Sequence, residues 1–273
     1  MITVVGGTGR LGTALVPLLR SAGEPVRIAS RRGVVPPALV DLVDDVVLAD
    51  VRDPAALESV VRGSDVVVSA VHGLGSRERG ITPRSVDHHG NAHLVDAAAR
   101  AGADVVLVSV VGASPGGNEL ERAKWAAEVH LRSSGTRWTI VRATAYAELW
   151  SEIIAGTAAR DGRAVVLGRG ENPFNVVPVA TVARAVADAC LDRGSRGQVI
   201  EVWGSEDVRL ADLARAACAP GSGPRRVPRT VLRIVGQVAR PVRPDVARMA
   251  RMALWLDTAD LRRADDGAVH ARS

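Results

Sequence analysis

Seven residues near the start of the chain, Gly6-Gly7-Thr8-Gly9-Arg10-Leu11-Gly12, have the types and spacing to hold a pyrophosphate. Such a turn needs one glycine to bend sharply. It needs a second so that backbone can approach the phosphates, and a third so that helix can pack closely on strand. Ile2 to Val5 is a short apolar run ahead of the turn, and Leu11, Leu15, Leu18 and Leu19 follow at helical spacing. A strand, a glycine turn and a helix in this order form the dinucleotide-binding fingerprint, with Gly7, Gly9 and Gly12 at its usual spacing. The helix start offers unpaired N–H groups and a positive dipole end to an anion.

A second group with chemistry stands at the tip of the next strand. Val26 to Ala29 closes in Ser30-Arg31-Arg32-Gly33. An acid at this tip would hold the 2'-hydroxyl of an unphosphorylated dinucleotide. Arg31 and Arg32 suit a 2'-phosphate instead, and Arg10 stands beside the same turn. The expected ligand is therefore NADP. After the third strand come Asp50 and Val51. Asp50 has two open readings, a contact to the adenine amino group or a cap on the following turn. Ala70 begins a small-residue stretch, Ala70-Val71-His72-Gly73-Leu74-Gly75, whose backbone can lie along a ribose, and residues 76–84 read as a polar loop at the cleft. Ser109, at the C-terminal end of a central strand, carries a hydroxyl where ligands bind in such sheets. Ser114 is the second choice. Tyr146, the sole tyrosine, is a candidate substrate contact or proton donor. His88 and His89 are adjacent, point in different directions on a helix, and lack ligand spacing around them, so no metal site is expected.

The elements that position these groups read as alternating strands and helices. Strands are expected at Ile2 to Val5, Val26 to Ala29, Val46 to Ala49, Val66 to Ser69, Val105 to Val110 and Trp138 to Val141. Helices are expected from the glycine turn to about Gly23, at Pro54 to Val61, at about Ser85 to Arg100 and at Glu119 to Ser133. Val, Ala and Leu dominate and Phe and Tyr are rare, which suits buried parallel strands. The fold class is α/β, a doubly wound parallel Rossmann sheet over residues 1–142. Residues 143–273 are expected to form a small C-terminal substrate lobe with two terminal helices. The lobe should hold a helix near Ala147, strands near Gly162 to Leu167 and Val177, a helix over Val179 to Leu191, a strand over Gln198 to Trp203 and a helix over Leu210 to Ala217. Ala219 to Pro228 reads as a linker. The final helices are apolar and basic, a pattern that fits packing against the lobe, a partner subunit or a membrane surface.

The net charge of +5 is modest and its arginines are spread along the chain. No zinc finger, basic dimer helix or aromatic–basic interleaving is present, so nucleic acid is not an expected partner. No apolar run is long enough to span a membrane. The start of the chain lacks a leader pattern, and Cys190 and Cys218 read as reduced thiols, so a cytoplasmic monomer or homodimer acting on a small molecule is expected.

Further marks join the turn: Gly6, Gly9 and Gly12 at a wider spacing, Asp50, Ala97-Ala98 with Ala101-Gly102, Lys124, Trp138-Thr139-Ile140-Val141-Arg142, Asn175-Val176-Val177-Pro178-Val179, and the helix through Ala183 and Ala187. With these the chain, from Met1 to about Ala217, resembles the atypical short-chain dehydrogenase/reductases, particularly the NmrA-like NAD(P)-binding proteins. The resemblance implies NADPH in many members, reduction of quinone-like or aromatic substrates in some, and cofactor binding without turnover in others. It implies a catalytic Ser followed by Tyr-x-x-x-Lys. Ser109 and Lys124 match by position, but Leu120 stands where the tyrosine would be, and leucine donates no proton. Lys124 would then hold the nicotinamide ribose or a substrate oxygen, with proton delivery from Lys124, Tyr146, a cleft histidine or water. Three functions follow as expectations: an NADPH-dependent oxidoreductase acting on a planar quinone-like or polyketide-like compound, a non-enzymatic NADP(H)-binding regulator, or an epimerase or dehydratase that retains its cofactor.

Overall fold

The computed structural model describes residues 1–74, 76, 78–158, 161–239 and 241–259. Gly75 of the small-residue stretch, residue 77 of the cleft loop and the part of the expected lobe beyond residue 259 lie outside the described residues.

In chain order the strands and helices are β1 (Ile2–Val5), α1 (Arg10–Ser21), β2 (Val26–Ser30), β3 (Asp45–Leu48), α2 (Pro54–Val61), β4 (Val66–Ser69), α3 (Asn91–Ala101), β5 (Asp104–Val110), α4 (Glu119–Ser133) and β6 (Trp138–Ala143). There follow β7 (Ala145–Tyr146), α5 (Ala147–Thr157), β8 (Val165–Leu167), β9 (Pro173–Val177), α6 (Val179–Leu191), β10 (Val199–Val202), β11 (Glu206–Arg209), α7 (Leu210–Ala216), β12 (Arg225–Val227), α8 (Arg229–Val238) and α9 (Pro244–Leu256). A 3-10 turn occupies Pro37–Leu42, in the segment the sequence left without assignment. The chain divides into two compact units. One is Met1–Ala143 with Val179–Val202; the other is Thr144–Pro178 with the chain from Trp203 onward.

The first unit holds a seven-stranded sheet in the order β10-β6-β5-β4-β1-β2-β3. All of its neighbouring strands pair in parallel. Every residue of β1 and β4 is buried, which is why both read as mainly apolar runs, interrupted only by Thr3 and ended by Ser69. At the edge, β3 alternates and leaves Val46 and Leu48 exposed. The chain winds outward one way from β1 and the other way from β4, so the two strands flank a switch point where a crevice opens at their C-terminal ends. Helix α1 buries Leu11, Leu15, Val16 and Leu19. Asp53 caps α2 by accepting from Ala55 N, with Pro54 in the first turn. Asn118 and Glu121 form a reciprocal capping box on α4.

The structure parts from the sequence reading in two places here. The helix expected from Ser85 begins as a wide π-type turn over Pro83–Gly90 and becomes α-helical only at Asn91. Second, α6 and β10 belong to the first unit rather than to the lobe. Val199–Val202 joins the sheet beside Ile140–Ala143, covering what would otherwise be a bare strand edge.

The second unit has a three-stranded sheet, β11-β9-β7, and a two-stranded one, β12-β8. Strand β12 lies within the segment read as a linker. Its core gathers Ile154, Val166, Phe174, Leu210 and Leu256, with Trp150 edge-on to Phe174 at 5.4 Å. Asp257 is buried and accepts from the backbone N–H groups of Arg169 and Gly170 at 2.9 and 3.0 Å.

Candidate cofactor and active site

The glycine turn leaves β1 with Gly6 at φ +88°, a left-handed conformation that side chains resist. A Cβ at Gly6 would stand 2.8 Å from the carbonyl oxygen of Ala70, the first residue after β4. A Cβ at Gly12 would stand 2.5 Å from Gly7 Cα, so that glycine lets α1 rest directly on the turn. Gly9 differs: its Cβ would meet only Gly6 O, at 3.1 Å, and the residue is exposed. Space lies in front of it. Gly9 is the N-cap of α1, with no side-chain cap and no acid in the first turn. The first N–H groups of α1 are therefore presented without an internal anion, as a phosphate needs. Thr8 Oγ1 lies 3.0 Å from Ser30 Oγ, which ties the turn to the end of β2. Leu11 and Gly12 are buried beneath the turn, while Arg10 is exposed.

Past Ser30, Arg31 and Arg32 point their guanidiniums at one carboxylate. Arg31 Nη1 donates to Glu78 Oε2 at 2.9 Å and Arg32 Nη2 to Glu78 Oε1 at 3.3 Å. Asp50 caps the turn after β3, accepting from Arg52 N at 2.9 Å and from its guanidinium Nε at 3.0 Å. The Arg52 hydrogen bond, opposed by partial desolvation, holds the Asp50 carboxyl below the usual range. Val51 is buried, packed under Gly90, and its backbone carbonyl lies 3.4 Å from His93 Nδ1.

Lys124 lies in the interior of the first unit, 4% exposed. Its Nζ donates to Val108 O at 2.9 Å and to Val71 O at 3.0 Å, and stands 3.0 Å from Asp87 Oδ1. That last contact is an ion pair off the hydrogen-bonding axis, since Oδ1 has no hydrogen-bond partner among the described residues. Asp87 is fully buried and its Oδ2 accepts from Gly73 N at 2.7 Å. Asn91 Nδ2 donates to Asp87 O at 2.7 Å, and Ser69 Oγ donates to Asn91 Oδ1. The wide turn thus delivers Asp87 and Asn91 together against the ends of β4 and β5. With two hydrogen bonds and one ion pair, Lys124 binds two strand ends and the turn into one assembly.

Ser109 faces other partners. Its hydroxyl donates to Glu128 Oε1 at 2.6 Å, and Glu128 is fully buried. Arg142 engages both oxygens of Glu128, at 3.0 and 2.7 Å, and Arg132 adds a bond at 3.0 Å. Lys124 and Glu128, a turn apart on α4, serve two separate clusters. Leu120 is half-buried on the same helix. Glu121 is buried beside Gly117, and burial pushes its carboxyl upward. Tyr146 belongs to the second unit, on β7; burial raises its phenol well above the ordinary value, which makes it a weaker acid.

Two residues of this region escaped the sequence reading. Asp87 and Asn91 share a helical face with Leu94 and Ala98, all of them buried. Polar groups on an apolar face were the available signal. His72 follows Val71 at the end of β4. Its side chain is accessible to water yet crowded by protein, and desolvation lowers its imidazole below the ordinary value, with Lys124 adding to that effect and Asp87 opposing it. His88 is half-buried and stacks at a tilt on the exposed His89, 4.6 Å between centroids. Among the described residues no cluster of His, Cys, Asp and Glu could hold a metal.

A doubly wound parallel sheet whose first turn is a glycine cradle over an uncapped helix defines a dinucleotide-binding protein. The chain belongs to the NAD(P)H-binding family, whose model matches residues 6–193. It is 26% identical over 230 residues to the NAD(P)H azoreductase of Xenophilus azovorans, which covers 83% of this chain and 76% of that one. Among solved structures it is similar to the triphenylmethane reductase of Citrobacter sp. complexed with NADP(H), with a TM-score of 0.73, 17% identity, and 97% and 92% of the two chains covered. It is also similar to an NADPH-dependent quinone oxidoreductase of Escherichia coli, with a TM-score of 0.69, 21% identity, and 93% and 88% covered. The fold is the one these reductases share. No helix among the described residues is long and apolar enough to cross a membrane.

Proposed function

We propose that the chain is an NADPH-dependent reductase of planar, easily reduced compounds such as quinones or azo-linked aromatics. The observation that carries the cofactor half is the pairing of an uncapped α1 with two guanidiniums, Arg31 and Arg32, at the tip of β2. The turn would hold the pyrophosphate and the arginines the 2'-phosphate. Bound there, the cofactor supplies a hydride. The residues around it bear on what can accept that hydride. Leu120 donates no proton where the tyrosine would, and the Lys124 ammonium is engaged by Val71, Val108 and Asp87. A quinone oxyanion needs a weaker acid than an alkoxide does, so water suffices for its proton. The azoreductase and quinone oxidoreductase relatives act on substrates of this kind by name.

The engaged Lys124 also favours a second reading, an NADP(H)-binding regulator without turnover. One assay separates the two: oxidation of NADPH against a panel of quinones, azo dyes, enones and aldehydes, beside a binding titration. Turnover with quinones or azo dyes and none with simple ketones is the expected result. Intact binding with no turnover across the panel would leave the regulator.

A further inference from the structure

Glu78 lies between β4 and the wide turn at Pro83, far in sequence from the arginines it meets. Each of its carboxylate oxygens takes one guanidinium, Oε2 from Arg31 and Oε1 from Arg32. The Arg31 and Arg32 hydrogen bonds hold the carboxyl below the usual range. The group is exposed, and the Arg31 and Glu78 side chains retain 36% and 50% of their accessible surface. An oxyanion shared between two guanidiniums is the arrangement in which arginines hold a phosphate.

We propose that Glu78 is an internal stand-in for the 2'-phosphate, which NADPH must displace, so that this one residue sets how strongly the chain prefers NADPH over NADH. The proposal rests on the reading of Arg31 and Arg32 as 2'-phosphate ligands. Two adjacent cationic side chains repel each other, and Glu78 keeps both aimed at the same point. A phosphate monoester carries nearly twice the charge of a carboxylate at neutral pH, so the exchange runs toward NADPH. NADH brings only a 2'-hydroxyl and leaves the Arg–Glu78 contacts in place. Glu78 therefore lowers NADPH affinity by the strength of the contacts given up, and does nothing of the kind to NADH.

The test is calorimetric titration of NADPH and NADH into the full chain and into Glu78→Gln, Arg31→Ala/Arg32→Ala and the triple variant. Exposed ion pairs are weak, so Glu78→Gln should tighten NADPH by about two- to five-fold, with NADH unchanged. The gain should vanish in the background lacking both arginines. Unchanged or weakened NADPH binding in Glu78→Gln overturns the proposal, as does an equal gain for NADH, which would reflect general charge. If the double arginine variant loses NADPH while Glu78→Gln has no effect, the competition fails and the cofactor reading stands. If the full chain shows no preference for NADPH, both fall together.

Discussion

Replacing Lys124 with methionine keeps most of the stem of the side chain and removes its charge. The structure allows the cost to be worked out. The lysine side chain is 5% exposed and that of Asp87 fully buried. Without the ammonium, Asp87 keeps one hydrogen bond from Gly73 N, its Oδ1 faces no partner among the described residues, and the carbonyls of Val71 and Val108 each lose a donor. Removing one partner of a buried pair costs about 3–5 kcal/mol. For a unit of this size each kcal/mol lowers Tm by about 2–4 °C, so a fall of roughly 6–20 °C is expected. Asp87→Asn on top of Lys124→Met should recover part of the loss, because no bare charge remains. The measurement is urea and thermal denaturation of the single and double variants, followed by tryptophan fluorescence; Trp125 and Trp138 both lie in the first unit. A loss below about 1 kcal/mol for Lys124→Met would refute the reasoning. Wild-type stability with collapsed turnover would place Lys124 on the substrate instead.

Three more outcomes follow. Gly9→Val should abolish cofactor binding in a folded protein, since the space in front of Gly9 is open; Gly12→Val should destabilise the fold itself, because its Cβ would overlap Gly7. Circular dichroism and an NADPH titration tell the two apart. Ser109→Ala removes a bond to the buried Glu128 carboxylate and should cost about 1.5–3 kcal/mol of stability while leaving NADPH affinity within two-fold, about 0.4 kcal/mol; a lost turnover with unchanged stability would return Ser109 to the reacting centre. His72 should make stability depend on pH. Its folded value lies below the ordinary one, so the unfolded chain binds the proton more readily and stability rises with pH. The contribution is complete above the ordinary histidine range and is lost as pH falls through it toward the folded value. His72→Gln should flatten that slope in denaturation measured at several pH values, and an unaltered slope would contradict the assignment.

The geometry of the candidate site was legible where it is local. The glycine turn, its helix and Arg31-Arg32 lie close together in sequence, and β1 and β4 announce themselves as mainly apolar runs because both faces are covered. What depended on distant partners did not show. Strands β7, β11 and β12 have two to four residues each, too few for a period, and exist because another strand lies beside them. Glu78 reads as one more loop acid until its partners 46 and 47 residues away are seen. Asp87 was overshadowed by His88 and His89, although it occupies the inner face of its helix. Residues 179–202 were assigned to the lobe because they follow it in sequence. Burying the edge of β6 draws them back to the first sheet, a gain no local pattern records.

Lys124 is also the sequence's one lysine in a chain that otherwise uses arginine for positive charge. Arginine does not react with mild acylating reagents, so Lys124 is the one side-chain amine the sequence offers them. It is enclosed at the ends of β4 and β5. Acylation at Lys124 can proceed only when the Val71, Val108 and Asp87 contacts separate, and a mass spectrum would record it as a single added group on one peptide. The rate of that addition is a clock for local opening of the site. It runs without any inserted label, and its slowing on addition of NADPH or NADH would rank the two by how firmly each closes the assembly.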